Sequence, residues 1–322
     1  MSKILDMAKT FEAATSRSKA RTVSDQLKEA AAFIEMIQTG KGGEIVRWGI
    51  PGMDAVCKLQ RGQIFTLAAP CGCGKTRFIL NDLIGKIKLG VPSVLFSYEN
   101  TSNIIYLGLK SILSGIPEDA LTEPGGIRDR GNMERFKQAF DYLHDGKHLF
   151  RVFGKGDYKH TPGGIALELR RLKDAGFAPD MVYIDYLQNM TLGSRASSRT
   201  EELEKIVFEL AELTSEFGAA LVILSQLNRD KARAESKRRA GVCDLKGSSA
   251  LEQVSDYIFF LNNADPGRRG VFNLDFYSVK ARSSRGFANE ELKFHSETGE
   301  ILGVEPKHRY TKADRPDGRR AA

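Results

Sequence analysis

The residues with the most chemical capacity fall in a few short stretches. The first, Ala69-Pro-Cys-Gly-Cys-Gly-Lys-Thr76, follows the β-rich run QIFTLAA and precedes a helical run. A phosphate chain needs a loop whose backbone N–H groups converge, and Gly72 and Gly74 permit that close approach. Lys75 is then placed to reach β- and γ-phosphates and the Thr76 hydroxyl to ligate Mg²⁺. The helix that begins here adds its positive N-terminal end. The expected nucleotide cradle is Ala69, Gly72, Cys73, Gly74, Lys75, Thr76 and Arg77. The strict pattern starts with glycine, whereas this loop starts with Ala69. A chance Gly-Lys-Thr in a turn is the alternative, and the strand–loop–helix context weighs against it. Cys71 and Cys73 lack companions at zinc-ligand spacing and read as small fillers of the loop that oxidants can reach.

Hydrolysis also needs a carboxylate to organise the metal and a group to orient water. Asp185 ends the hydrophobic run MVYID, at the strand terminus where ligands bind in open α/β sheets, and suits Mg²⁺ held through water. Glu99 ends another apolar run, VLFSYE, where a carboxylate can polarise the attacking water. A third run, LVILSQLNR, carries Ser225, Gln226 and Asn228; Gln226 suits a hydrogen bond to a γ-phosphate and can report its loss to the segment that follows. Singly, each of these is more often a strand cap than a sensor. Four strands that all end in groups suited to nucleotide chemistry make ATP and Mg²⁺ the expected cofactors.

Positioning these groups requires particular elements. Strands are expected at Ile64–Ala68, Ser93–Ser97, Leu149–Phe153, Met181–Asp185, Ala220–Ser225 and Tyr257–Leu261, with helices at Arg77–Ile87, Met133–Leu143, Gly164–Lys173 and Arg199–Phe217. That alternation predicts an α/β fold: a mostly parallel central sheet flanked by helices. After Leu261 only strands are expected, Val271–Val279, Glu290–Phe294 and Glu300–Gly303, as antiparallel additions at the C-terminal edge. Ahead of this body, residues 1–21 read as a mobile arm. Thr22 and Asp25 form a capping box for an amphipathic helix that ends at Gly40, docking either on its own domain or on a neighbouring subunit. The expected organisation is thus an arm and helix at 1–40, an ATPase domain at 41–304 and a basic disordered tail at 305–322.

Composition narrows the classes. The 322 residues carry 48 Lys+Arg against 41 Asp+Glu, a net charge of +7, with 41% hydrophobic and 28% charged residues, which excludes a disordered chain and favours a polyanionic partner. No apolar run approaches the roughly 18 residues that span a membrane. Four cysteines and a start without an apolar signal core lead to the expectation of a reducing cytoplasm.

Taken in order, these stretches resemble the C-terminal ATPase domain of the DnaB-type replicative helicases, within the RecA-like P-loop superfamily. The resemblance runs from about Arg47 to Gly303. WGIPGMDAV resembles the family's opening segment, AAPCGCGKT its Walker A with alanine tolerated first, VLFSYEN the segment bearing the catalytic glutamate, IDYLQNM its Walker B and LSQLNRD its SQLNR motif. DLKGSSALEQVSDYIFFL resembles the stretch with a DLR-type turn and an IEQ-type helix, and KARSS the K-x-R segment. The resemblance implies that Lys280 and Arg282 reach the γ-phosphate bound by the adjacent subunit of a ring-shaped homo-oligomer, a hexamer. It also implies that the Thr22–Gln38 helix is a linker packing on the next subunit. The family's replicative members carry a separate N-terminal domain that contacts primase. Only the arm and helix precede the ATPase domain here, so primase contact is not expected and a minimal phage- or plasmid-type form is.

A nucleic acid is expected at two places. RDKARAESKRRAGVCDLK carries Arg229, Lys231, Arg233, Lys237, Arg238, Arg239 and Lys246, and it directly follows the γ-phosphate sensor. By itself such a run is usually a solvated face; the resemblance points it into the ring's central channel. TLGSRASSRTEE offers Arg195 and Arg199 with glycine and serine groups that suit phosphates. Neither stretch has an aromatic residue, so binding should follow the backbone with strong salt dependence. The expected function is ATP-driven translocation on single-stranded or forked DNA in replication, with a helicase loader as a possible partner and no membrane. The rivals are a RecA-like switch or loader that binds DNA or protein without unwinding, and a DNA-binding scaffold with vestigial motifs.

Overall fold

A computed structural model describes residues 45–193, 196–227, 239–245, 248–263, 267–282 and 288–306, together with Val23, Lys28 and Ala31. The chain divides into two units, 1–45 and 46–322. The expected arm and the tail from residue 307 lie outside the described residues, as does the Thr22–Gln38 helix apart from Val23, Lys28 and Ala31.

The second unit is built on one nine-stranded sheet in the order β3-β2-β4-β5-β1-β6-β7-β8-β9. Its strands are β1 (Ile64–Ala69), β2 (Ser93–Ser97), β3 (Phe150–Phe153), β4 (Met181–Asp185), β5 (Ala220–Gln226), β6 (Tyr257–Asn262), β7 (Val271–Ala281), β8 (Asn289–His295) and β9 (Glu300–Pro306). From β3 to β6 all neighbours pair in parallel, and β7, β8 and β9 add antiparallel beyond β6. The parallel strands β1, β2 and β4 are buried at every position, which is why they read as continuous apolar runs rather than alternating ones. β9 runs on through Pro306 because Glu305 and Pro306 pair with Glu291 and Glu290, so the folded edge lies two residues beyond the expected boundary at 304.

The helices are α1 (Met53–Val56), α2 (Lys75–Leu89), α3 (Ser102–Ser114), α4 (Glu118–Thr122), α5 (Arg130–Asp145), α6 (Pro162–Asp174), α7 (Arg199–Phe217) and α8 (Ser248–Val254). Sequence patterning did not separate out α3. Its apolar residues, from Ile104 through Leu113, occupy most of its circumference, and its N-cap Thr101 makes no side-chain capping bond. α2 ends at Gly90, in the left-handed region, with Lys86 and Lys88 in its last turn to complement the helix dipole. No helix among the described residues is long and apolar enough to cross a membrane.

Behind the phosphate loop, α2 is anchored by a buried polar group. Asp82 accepts from the Gly49 N–H and the Tyr183 hydroxyl, Lys86 donates to the Arg47 carbonyl, and Lys86 Nζ lies 3.9 Å from Asp82 and 5.4 Å from the Trp48 ring centre. Burial pushes the Asp82 carboxyl up and the Lys86 ammonium down, each opposed by the other's charge. The group ties the Arg47–Gly49 segment to α2. Removing one partner leaves a buried charge alone, so Asp82→Ala is expected to lower stability by about 3–5 kcal/mol. Urea unfolding measures this, and a loss under ~1 kcal/mol would mean that the Lys86 ammonium finds water instead.

Candidate nucleotide site

The strands β2, β4, β5, β1 and β6 are consecutive in the sheet, and their C-terminal ends share one edge. Register brings the expected groups together there. Ser97 pairs with Asp185, and the Tyr98 N–H donates to the Asp185 carbonyl at 2.7 Å, which delivers Glu99 beside Asp185. Ala69 pairs with Gln226, so the first residue of the phosphate loop lies directly next to the expected sensor. Ala69 is fully buried in the core and has no positive φ, so the backbone does not demand glycine there. Gly72 and Gly74 differ, with φ of 79° and 90°, in the region where a side chain is strained. Gly74 caps α2 with no side-chain partner for the first-turn N–H groups, which remain aimed at the loop.

The site is an open cleft of about 660 Å³ lined by Cys71, Gly72, Gly74, Lys75 and Thr76 on one side and by Glu99, Asn100 and Gln226 on another. The Lys75 ammonium donates to the carbonyls of Ala69 at 3.0 Å and Pro70 at 2.9 Å, and burial lowers its affinity for a proton. Cys73 is buried beneath the loop, and that burial pushes its thiol up.

Asp185 is wholly buried. Thr76 Oγ1 donates to its Oδ2 at 3.0 Å, while Oδ1 has no hydrogen-bond partner. Burial pushes this carboxyl up to about 6, with the Thr76 hydroxyl lowering it, Glu99 raising it and Lys75 lowering it. A buried carboxylate with one free oxygen, joined to a hydroxyl at the mouth of a phosphate loop, is the donor set a hard divalent cation requires. Thr76 and Asp185 therefore fit Mg²⁺.

Several candidate residues are engaged elsewhere. Arg77 lines the cleft, but its guanidinium pairs with Glu118 at 2.7 Å and packs against Gly299, so it braces α4 and the β8–β9 turn. Arg199 donates to the carbonyls of Gln188 at 2.6 Å and Met190 at 2.9 Å and pairs with Glu202, which gives it a local structural role while its side chain stays 45% exposed. Arg239 pairs with Asp275 at 2.8 Å and stacks over Tyr277, so it is held against β7. Arg195, Arg229, Lys231, Arg233, Lys237, Arg238 and Lys246 lie outside the described residues.

Lys280 and Arg282 sit far from the phosphate loop of their own chain. Ala281 pairs with Tyr257 and Tyr257 pairs with Phe65, at the N-terminal end of β1. From there to Ala69 the strand rises by roughly 13 Å at about 3.3 Å per residue. Lys280 donates to the Glu252 carbonyl, and Arg282 donates to the Gln253 carbonyl and lies 3.6 Å from Asp256. Both cations thus rest on the C-terminal, negative end of α8.

Sequence reasoning missed the far wall of the cleft, formed by Asn263 and Arg268 of the β6–β7 connection, Phe272 of β7, Phe294 of β8 and Ser296 just after β8. Arg268 stacks over Phe272 at 5.4 Å, and the Phe272 and Phe294 rings meet edge to face at 5.8 Å. An apolar wall topped by a guanidinium can hold a flat heterocycle. In the sequence these residues show only strand alternation, and the antiparallel edge brings them to the site.

The sheet order and the strand-end site define a RecA-like P-loop nucleotide-binding core. Solved structures share this fold: the ATPase Domain of G40P matches with a TM-score of 0.76 at 22% identity over 87% of this chain and 99% of that one. A structure described as a DnaB-like replicative helicase and its interactions with primase matches at 0.74 and 21% identity, over 94% of this chain and 76% of that one. The family model for the DnaB-like helicase C terminal domain matches residues 46–285, and the chain belongs to that family. Among its relatives are the replicative DNA helicase DnaB of Helicobacter pylori, 26% identical over 252 residues, and a probable plasmid replicative DNA helicase of Chlamydia psittaci, 29% identical over 249. Each match covers 76% of this chain, and the chain spans about half the length of these relatives, 50% and 52% respectively.

Proposed function

We propose that this protein hydrolyses ATP to move along single-stranded DNA and separate duplex in replication, as a ring of identical subunits. The observation that carries the reading is Asp185: buried, held by Thr76 through one oxygen and unpartnered at the other, beside a cleft lined by Lys75, Glu99 and Gln226.

Loop N–H groups from Gly72 to Thr76 and the Lys75 ammonium bind the phosphate chain of the substrate. Thr76 and Asp185 would hold Mg²⁺, which when bound would neutralise charge on the phosphate chain. Glu99 orients the attacking water and takes its proton. Gln226 donates to the γ-phosphate, while Lys280 and Arg282 serve the site of the next subunit, which their distance from their own loop favours. The Thr22–Gln38 segment is read as the linker between subunits, with a loader as a further partner. The basic 229–246 segment and Arg195 are read as the DNA contacts.

ATP turnover and strand displacement on a forked duplex test this together, with and without single-stranded DNA and at two salt concentrations. Turnover stimulated by DNA with strand separation, both weakened by salt, is expected. Stimulated turnover without separation would replace the motor with a switch or loader.

A further inference from the structure

We infer that Gln188 is a positioning residue that joins the γ-phosphate-facing end of β5 to the first turn of α7. The inference rests on Gln226 facing the γ-phosphate, as proposed above. Gln188 follows the Walker B strand in a short helical turn, Leu187–Asn189, and its side chain reaches across to β5. Its Oε1 accepts from the Gln226 N–H at 3.1 Å and its Nε2 donates to Ser225 Oγ at 2.9 Å. The amide therefore sets the backbone that aims the Gln226 side chain into the cleft.

The other end of the same turn is clamped to α7. Arg199 donates to the carbonyls of Gln188 and Met190, Arg199 pairs with Glu202 at 2.5 Å, and Glu202 Oε1 accepts from the Leu192 N–H at 3.0 Å. This backbone bond, followed by Arg199, holds the Glu202 carboxyl below its ordinary value, so it stays charged. A shift of Gln226 must then either break the Gln188 amide bonds or carry the 187–192 turn and the start of α7 with it. α7 in turn meets α8 through a Ser249–Glu204 hydrogen bond of 2.6 Å, and α8 bears the carbonyls that hold Lys280 and Arg282. Gln188 thus joins the two elements, its side-chain amide bonding β5 and its backbone carbonyl accepting from Arg199 of α7. Its position gives the nucleotide of one site a mechanical route toward the cations proposed to serve the next.

Hydrogen exchange on the full chain tests the inference, comparing ADP with ATPγS at the amides of 224–227 and 192–203. In the native protein both segments should slow together with ATPγS. In Gln188→Met, which keeps the side-chain length and removes both hydrogen bonds, 224–227 should still respond. The response of 192–203 should fall about tenfold. Gln188→Glu retains an acceptor for the Gln226 N–H and can accept from Ser225, and it should restore most of the response. A full 192–203 response in Gln188→Met with folding intact overturns the inference and leaves the sensor role standing. No response at 224–227 in the native protein removes the sensor role itself, and the inference with it. Loss of response in both variants alike, with a lowered Tm, would show a merely structural residue and also overturn it.

Discussion

Lys75→Ala is expected to reduce ATP turnover at least about 10³-fold, about 4 kcal/mol of transition-state stabilisation, and to weaken nucleotide binding as well. The side chain is well placed to be decisive. It emerges at the first residue of α2, its ammonium lies over the loop carbonyls of Ala69 and Pro70, and it borders the cleft with Glu99 and Gln226. Contacts to a phosphate would add full charge–charge attraction to the bonds that the ammonium now makes to two neutral carbonyls. Single-turnover kinetics and a fluorescent-nucleotide titration measure the two effects. Turnover within tenfold of the native protein would mean that the phosphates sit elsewhere. The fold should be unchanged, because Lys75 has no part in the Asp82–Lys86 group that anchors α2.

Arg282→Ala is expected to lower turnover by about 10³-fold while changing nucleotide affinity of the isolated chain less than about threefold. The reason is the register: Arg282 lies at the N-terminal end of the parallel strands and the phosphate loop at the C-terminal end, so the substitution touches nothing in its own site. A mixing experiment makes the prediction strict. An Arg282→Ala subunit retains an intact phosphate loop, and a Lys75→Ala subunit retains Arg282. Mixed rings should therefore regain turnover that neither variant has alone. Mixtures as inactive as the separate variants would place Arg282 outside catalysis, and native turnover by Arg282→Ala alone would dismiss the inter-subunit site.

Much of the fold was legible because its signals are local. A parallel strand buried on both faces must be apolar throughout, so β1, β2 and β4 declared themselves, and the chain leaving each one carries the chemistry of the sheet edge. Asp185, Glu99 and Gln226 follow from that rule. Their convergence depends on the strand order, which the sheet shows. α3 was passed over although Ile105, Leu109 and Ile112 recur at helical spacing, because apolar residues off that face, such as the exposed Ile104, blur the stripe. The wall of Arg268, Phe272 and Phe294 was not legible, because nothing local distinguishes a strand residue beside a cleft from one in a core.

The sequence by itself determined the phosphate loop, the order of the motifs and the family. Each depends on residue types at short spacing, where backbone geometry leaves little choice. Only the tertiary structure decided what the charged side chains do. Arg77, Arg199 and Arg239 have the composition of ligand-binding residues, yet the fold gives them Glu118, the 187–190 turn and Asp275. Gln188 stood inside a quoted motif with no role until β5 came alongside. A long cation or amide reaches partners many residues away in sequence, and which partner lies within hydrogen-bond distance depends on how strands are ordered and registered.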